Sequence, residues 1–389
     1  MPRISIPLTG LNKDFVVQLS YSMAFVSEEV LGHEIDLAGN RLVVDLTSDA
    51  SRTEVEAKIK QMIERYREGE FGFRSKVYFE QHADIIQNDT WPELLARKWV
   101  TSVGDGHVIL RGPAARLADV IDQRIQSIFA REFKAEKEIY PATIKCETLD
   151  RIHHFTSFPE HVDFVAHLKS DVVALQQFSS RCREIGWSSA LHEGQMAEHD
   201  YAISPSCCYH CYEGMEGWEL SAPGRCITMT VPCHRFESRN QQSMSRLRAF
   251  TQRDVVWVGH PKYVLDSRHR ADALIVEWAK DWGLDCTYET ANDMFFTDDY
   301  AVKASFQRQQ EAKKELRLTI PQESKTISVF SSNFHSLTFG KAFNIKVEGR
   351  TAASACVGWG FERWVYAIFS QFGFDSARWP GGLRRDFTL

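Results

Sequence analysis

Four stretches in the second half of the chain constrain its fold more than any other feature. They are Arg225-Cys-Ile-Thr-Met-Thr-Val-Pro, Asp254-Val-Val-Trp-Val-Gly, Leu316-Arg-Leu-Thr-Ile-Pro and Lys325-Thr-Ile-Ser-Val-Phe. Each is short, rich in β-branched residues and bounded by turn residues, the pattern of a strand. Apolar residues at helical spacing occupy 163–185, 262–282 and 360–372. Strands outnumber helices and do not alternate with them one for one. The expected class is therefore α+β, an antiparallel sheet flanked by helices, rather than a doubly wound parallel sheet.

The 389 residues are enough for two units, and the spacing divides them at 1–102 and 103–389. The first reads as a small α/β appendage. Arg41-Leu-Val-Val-Asp-Leu-Thr is a strand, and Val55, Ile59, Met62 and Ile63 recur as one face of a helix begun by Ser48-Asp-Ala-Ser. Trp91–Val100 reads as a second short helix. No chemistry-bearing cluster lies in this unit, which points to packing, dimerisation or docking. The turn-rich Val103-Gly-Asp-Gly-His marks a boundary or a hairpin. A long amphipathic helix follows, with Leu117, Val120, Ile121, Ile125, Ile128 and Phe129 on one face and its end near Glu138, ahead of Tyr140-Pro141.

Charge and cysteine content exclude several functions. The 46 Lys and Arg are outnumbered by 52 Asp and Glu, a balance opposite to the cationic footprint of a non-specific nucleic-acid binder. No run reaches the roughly 18 apolar residues of a membrane span, and Met1-Pro-Arg-Ile-Ser-Ile has no leader pattern, so the expected location is cytoplasmic. Nine cysteines, an odd number at low density, do not form a disulfide framework. In a reducing compartment they are core thiols or metal ligands.

Three constellations can carry chemistry. In Gly358-Trp-Gly-Phe-Glu-Arg363 two glycines permit close backbone approach, and an arginine near a helix start is suited to phosphate oxygens. The same string also serves as a plain strand-to-helix turn with a surface ion pair. In Cys233-His-Arg-Phe-Glu, Arg235 and Glu237 lie two apart and share one side of a strand, with a basic loop and Phe250 beyond. Arginine, glutamate and aromatic ring together suit a nucleotide's phosphate, base amino group and purine face; a cross-strand ion pair is the plainer account. Cys208 and Cys211 have zinc-finger spacing without a following second pair, and Cys356 precedes the glycine turn.

Together these strings resemble the signature motifs of the class II aminoacyl-tRNA synthetase catalytic domain. Arg235-Phe-Glu is similar to its second motif and Gly358-Trp-Gly-Phe-Glu-Arg363 to its third. The helix leading to Pro141 is similar to the first, which forms the dimer interface. Cys208-Tyr-His, Ala291-Asn-Asp-Met-Phe-Phe, Gln307-Arg-Gln-Gln-Glu-Ala, Ser331-Ser-Asn-Phe-His and Ala355-Cys-Val-Gly-Trp-Gly narrow the resemblance to the amino acid:[carrier protein] ligases. These are seryl-tRNA-synthetase-like enzymes without tRNA aminoacylation. The resemblance runs from about 105 to 375 and leaves the first hundred residues outside.

The resemblance implies activation of an amino acid with ATP and Mg²⁺ to an aminoacyl adenylate, then transfer to the phosphopantetheine thiol of a carrier protein by a homodimer, with neither tRNA nor membrane involved. It assigns Arg235 and Arg363 to catalysis. It places Arg235, Glu237, Arg246, Leu247, Phe250, Ser332, Asn333 and Arg363 around ATP. It also implies a Zn²⁺ ion held by Cys208, Asp254 and Cys356, whose open position takes the substrate amine beside Asp254 and Asn333. The family has Glu where this chain has Asp254, a side chain one methylene shorter. The residue types agree with that chemistry. A substrate carboxylate is its own nucleophile, so catalysis needs positioning and cations on developing phosphate charge.

Two other functions compete. A true seryl-tRNA synthetase of the usual kind would carry heptads of a long helical arm, which residues 1–100 lack. A non-catalytic paralogue would have no need to keep Arg235, Glu237, Phe250 and Arg363 together.

Overall fold

The computed structural model describes residues 2–8, 19–36, 39–69, 75–188, 191, 194–198, 200–238, 241, 243–291 and 311–388, the side chains of 65–69 excepted. Most of the Ala291–Phe296 string and the start of the Gln307 string lie outside them.

The N-terminal unit pairs β1 (Arg3–Pro7), β2 (Val30–Asp36) and β3 (Arg41–Leu46) in the order β1-β3-β2, antiparallel throughout. Helix α1 (Arg52–Gly69) lays Val55, Ile59 and Ile63 against Ile4, Ile6, Leu42 and Val44, as its three-and-four spacing requires. No parallel crossover joins these strands, so the unit is a small α+β layer rather than the expected α/β one.

The expected division at residue 102 does not follow the sheets. Strand β4 (Val77–Gln81) pairs with Cys286–Thr290 at the edge of the large sheet. Helix α2 (Thr90–Ala96) packs on the second unit's core, where the Asn88 amide donates to the carbonyls of Phe369 and Ser370. The helix expected over Trp91–Val100 stops early: Lys98 takes φ 57°, and Trp99 turns onto Phe369 with ring centroids 5.5 Å apart. Strands β5 (Val100–Gly104) and β6 (His107–Leu110) then form the hairpin read at Val103.

Helix α3 (Pro113–Ile125) carries the expected apolar face and passes through a π turn at Gln126–Ala130. It ends well before Glu138, because Lys134 adopts φ 50° and β7 (Glu136–Lys137) joins the sheet. Helix α4 (Val172–Ile185) is likewise shorter than the expected 163–185. Asp171 caps it, accepting the Ala174 N–H at 2.8 Å, while Phe164–Val165 pairs with Tyr201–Ala202 as strand.

The large sheet contains eight strands among the described residues. After β4 and β7 come β8 (Gly224–His234), β9 (Ala249–Gly259), β10 (Cys286–Thr290), β11 (Lys313–Ile320), β12 (Lys325–Ser336) and β13 (Ala353–Gly360). Their order is β4-β10-β11-β12-β13-β9-β8-β7, antiparallel except for the β8–β7 pair. Helices α5 (Pro261–Asp281) and α6 (Phe361–Phe372), with α3, cover one face. There Val255, Trp257, Val357, Trp359, Phe330 and Leu316 meet Trp278 and Trp364, all essentially without exposure. Burying each such side chain contributes ~1.5–3 kcal/mol, which anchors the sheet and leaves its other face for a site. Among the described residues no helix is long and apolar enough to cross a membrane.

Candidate active site

The strand register brings the sequence-predicted residues together. Directly opposed residues of antiparallel strands share a face. Asn333 opposes Cys356, Asp254 and Ser331 both oppose Gly358, and Gln252 opposes Gly360. Lys313 and Glu315 on β11 oppose Asn333 and Ser331, while Cys233 opposes Phe250 on the far side. One open face of the central strands therefore carries Phe250, Gln252, Asp254, Cys356, Ser331, Asn333 and Glu315.

At one end lies a compact donor set. Cys208, at the start of the Tyr209–Gly214 helix, Asp254 and Cys356 are all buried, with one ligand atom of each within 4.8 Å of the others. Tetrahedral zinc with bonds of ~2.0–2.3 Å needs similar separations. Gln252 Nε2 donates to Asp254 Oδ1 at 2.7 Å, and the buried Oδ2 has no hydrogen-bond partner. Asn333 Nδ2 and His335 Nε2 each lie 3.6 Å from the Cys356 sulfur. Burial lifts the Asp254 carboxyl to about 7 against the pull of Gln252, Arg235 and Cys208. The neighbouring Cys208 sulfur, then burial, push the Cys356 thiol up. Two cysteine sulfurs and a carboxylate gathered side by side, with one oxygen orphaned, fit a divalent cation, which compensates their charge. Cys211 is buried in the adjoining apolar cluster and does not join the set, so its zinc-finger spacing has no part here.

Gly358 has a steric reason. A Cβ there would stand 2.4 Å from Asp254 Oδ1 and 3.0 Å from Gln252 Nε2, so the space a side chain needs already holds the carboxylate. Gly360 meets nothing within 4 Å and faces open space.

The other end is cationic. Arg235 extends from β8 with its guanidinium 5.4 Å from the Phe250 ring centroid and its Nε donating to the Pro205 carbonyl at 2.9 Å. Arg246 Nη1 donates to Glu237 Oε2 at 2.8 Å. Although burial opposes it, Arg246 and then His161 hold the Glu237 carboxyl below its usual range. Arg363, in the first turn of α6, is pushed down to about 10 by burial and by the charges of Arg246 and Arg235, with Glu237 pulling it back. Arg235 thus acts electrostatically on both Arg363 and Asp254, which links the donor set to the arginines. Glu362 fixes the start of α6: both its oxygens accept the Thr251 N–H, at 3.0 and 2.9 Å.

Two expected contacts differ. Ser332 lies on the covered face, with no exposure, donating to Asp272 Oδ1 at 2.7 Å and accepting from Arg268 Nε at 3.0 Å. The alternation of β12 turns it away from the cleft; Ser331 takes the place given to it, and accepts from Asn333 Nδ2 at 3.2 Å. Leu247 buries its side chain, at 6% exposure. Sequence reading also missed Lys313 and Glu315, 3.2 Å apart on the cleft face. A period-two count along β11 and β12 from Asn333 would have found Ser331. Glu315 becomes visible only once the strands are paired.

The antiparallel sheet with its flanking helices has the fold of the class II aminoacyl-tRNA synthetases. The crystal structure of the M. kandleri seryl-tRNA synthetase with A. aeolicus tRNASec matches with a TM-score of 0.71 and 19% identity, covering 99% of this chain and 77% of that one. The N-terminal unit is therefore part of the shared fold, although it lay outside the sequence resemblance.

In sequence the chain is similar to the amino acid–[acyl-carrier-protein] ligases and to the type-2 serine–tRNA ligases. Amino acid–[acyl-carrier-protein] ligase 1 of Bradyrhizobium diazoefficiens is 28% identical over 307 residues, spanning 76% of this chain and 91% of that protein. The type-2 serine–tRNA ligase of Methanocaldococcus jannaschii is 23% identical over 307 residues, and the match spans 58% of its length. No family model matches the chain.

Proposed function

We propose that the protein activates an amino acid with ATP to an aminoacyl adenylate and passes it to the phosphopantetheine thiol of a carrier protein. The observation that carries this reading is the Cys208–Asp254–Cys356 set on one sheet face with Arg235 in electrostatic range of it, and Arg246 and Arg363 in range of each other beside Arg235. Such an arrangement suits a substrate with an amine at one end and a carboxylate attacking an α-phosphate in the middle.

In this reading Arg235 takes the α-phosphate, Phe250 the purine face, Glu237 the base, and Arg246 and Arg363 the remaining phosphates. Mg²⁺ arrives with the nucleotide. The substrate carboxylate attacks the α-phosphorus in line, the bond to the pyrophosphate oxygen breaks, and pyrophosphate departs. The guanidinium groups stabilise the charge that develops, and their placement before substrate arrives is what lowers the barrier. Cys208, Asp254 and Cys356 would hold Zn²⁺, which supplies a Lewis-acid seat for an unprotonated α-amine. Asn333, beside Cys356, faces the same seat. Asp254 in place of glutamate sets the carboxylate closer to the sheet and reshapes the amino-acid pocket. A homodimer through the helix leading to Pro141 belongs to the same reading, supported by Ile139 with 86% of its surface exposed.

Aminoacylation of tRNA is the second reading, favoured by the 99% coverage in the match to a tRNA-bound synthetase. The N-terminal unit tells against it: residues 1–69 hold eight Lys and Arg and eleven Asp and Glu, the wrong sign for gripping a phosphate backbone.

Amino-acid-dependent ATP–pyrophosphate exchange tests the activation step, and no exchange with any amino acid would refute it. Loading of a phosphopantetheinylated carrier protein against total tRNA separates the two acceptors. Metal analysis of Cys208→Ala and Cys356→Ala should show loss of stoichiometric zinc in both; retention would make these cysteines core residues.

A further inference from the structure

Leu19–Ser22 and the turn at Met23–Phe25 of the N-terminal unit rest on the nucleotide end of the cleft. The Arg246 guanidinium lies over the Tyr21 ring, 4.1 Å from its centroid. The Tyr21 hydroxyl hydrogen-bonds the Glu237 carboxylate, which already accepts from Arg246. Ring, guanidinium and carboxylate therefore form a closed triangle of which two corners come from the loop joining β8 and β9 and the third from the appended unit.

The docking around that triangle is extensive. Ser238 Oγ donates to the Ala24 carbonyl at 2.8 Å. Phe25 meets Phe236 edge-on, with centroids 6.4 Å apart, and Arg248 covers Phe236 at 5.1 Å. Phe158 of the second unit packs on the N-terminal core. The residues so engaged, Phe236 to Ser238, continue the strand that presents Arg235.

Arg246 needs such support. Three guanidinium groups converge in this cleft, and their mutual repulsion drives Arg246 away from Arg363 unless something holds it. Glu237 supplies the opposite charge. The Tyr21 ring supplies a face that fixes the plane of the guanidinium and leaves an edge for an anion. The Tyr21 hydroxyl, hydrogen-bonded to Glu237, gives that carboxylate a second hold.

We infer that Tyr21 is a positioning residue of the nucleotide site, through which the N-terminal unit sets the affinity for ATP by holding Arg246 and Glu237 in place. The inference rests on the ATP-binding part of the function proposed above. It gives the appended unit a role in catalysis: any ligand or partner that shifts this unit changes ATP affinity and leaves the Cys208 end of the cleft untouched.

The test is direct binding of Mg²⁺–ATP to the full chain by calorimetry, with exchange kinetics alongside. Tyr21→Phe keeps the ring and loses the hydroxyl; Kd for Mg²⁺–ATP should rise about tenfold, the effect of one hydrogen bond to a charged group. Tyr21→Ala should weaken binding further, to roughly fiftyfold, as the guanidinium loses its aromatic face. KM for the amino acid and the zinc content should not move in either variant, a split that general unfolding would not produce. In an Arg246→Ala background, Tyr21→Phe should add almost nothing. Wild-type binding of ATP with Tyr21 variants indistinguishable from it would overturn this inference and spare the proposed function. Failure of the wild type to bind ATP would overturn both.

Discussion

The large sheet carries two buried polar clusters on opposite faces, met by the adjacent β12 residues Ser332 and Asn333, and they are built in contrary ways. Behind the sheet, Ser332, Arg268, Asp272 and Lys314 close on one another: Lys314 Nζ lies 2.8 Å from Asp272 Oδ2, Ser332 donates to Oδ1, and Arg268 also reaches the carbonyls of Glu311 and Ser332. Each charged group is hydrogen-bonded, Lys314 to Asp272 and Arg268 to Ser332 and two carbonyls, as buried charge must be in a structural role. In front, Cys208, Asp254 and Cys356 crowd together with an oxygen that nothing satisfies. Buried charge in itself therefore does not mark a site in this protein. What marks it is a set of three ligand-type side chains gathered around an unsatisfied oxygen, a condition that a bound cation resolves.

The contrast is sharpest under mutation. Asp272→Ala strands Lys314 without its carboxylate in the covered core and should lower stability by ~3–5 kcal/mol. Urea denaturation checks it; a small shift in midpoint would mean the rear cluster does not hold the fold. Arg363→Ala should slow pyrophosphate exchange by ~10²–10³-fold while the melting temperature stays put, since the cleft's charge is organised for reaction. Normal exchange in that variant would remove Arg363 from the mechanism.

Glu362 stands on the border between the two kinds, and pH separates its contribution. Burial raises its carboxyl to about 7, above the unfolded value of roughly 4.3, so the folded state holds the proton more tightly. Its contribution to stability is therefore greatest at low pH, declines as pH rises from about 4.5 to 7, and is level above. His154, depressed to about 4 by burial and Arg235, works in the opposite sense over nearly the same range. Comparison with Glu362→Gln isolates the carboxyl: wild type minus variant should be more favourable at pH 5 than at pH 8 by ~2–3 kcal/mol. Equal differences at the two pH values would contradict a buried, protonatable Glu362.

The finest break uses adjacent residues. Ser332→Ala should cost ~1–3 kcal/mol of stability, leaving buried Asp272 and Arg268 short of a partner, with KM for ATP unchanged. Asn333→Ala should leave the denaturation midpoint alone and raise KM for the amino acid. The reverse pattern would exchange the two faces.

Much of this site was legible in the amino-acid sequence alone. Arg235, Glu237, Phe250 and Arg363 could be picked out because their chemistry sits in short strings, and the cysteines because two of them flank such strings. Ser332 was misplaced because the string Ser331-Ser-Asn gives two serines with equal claim, and only the pairing with β13 decides which one faces the cleft. Tyr21 carried no signal at all: its value comes from Glu237 and Arg246, more than two hundred residues away.

By itself the sequence determined the succession of strands, the apolar spacing of the helices and the side-chain chemistry available for nucleotide and metal, because these depend on near neighbours along the chain. The tertiary structure decided which face of the sheet became the cleft, that β4 and α2 join the second unit, and that the appended unit reaches Arg246. Alternation along a strand sets only that neighbours point opposite ways. Which way is outward is chosen by the helices that bury Trp257, Trp359 and Phe330, and that choice exists only once the distant parts have packed.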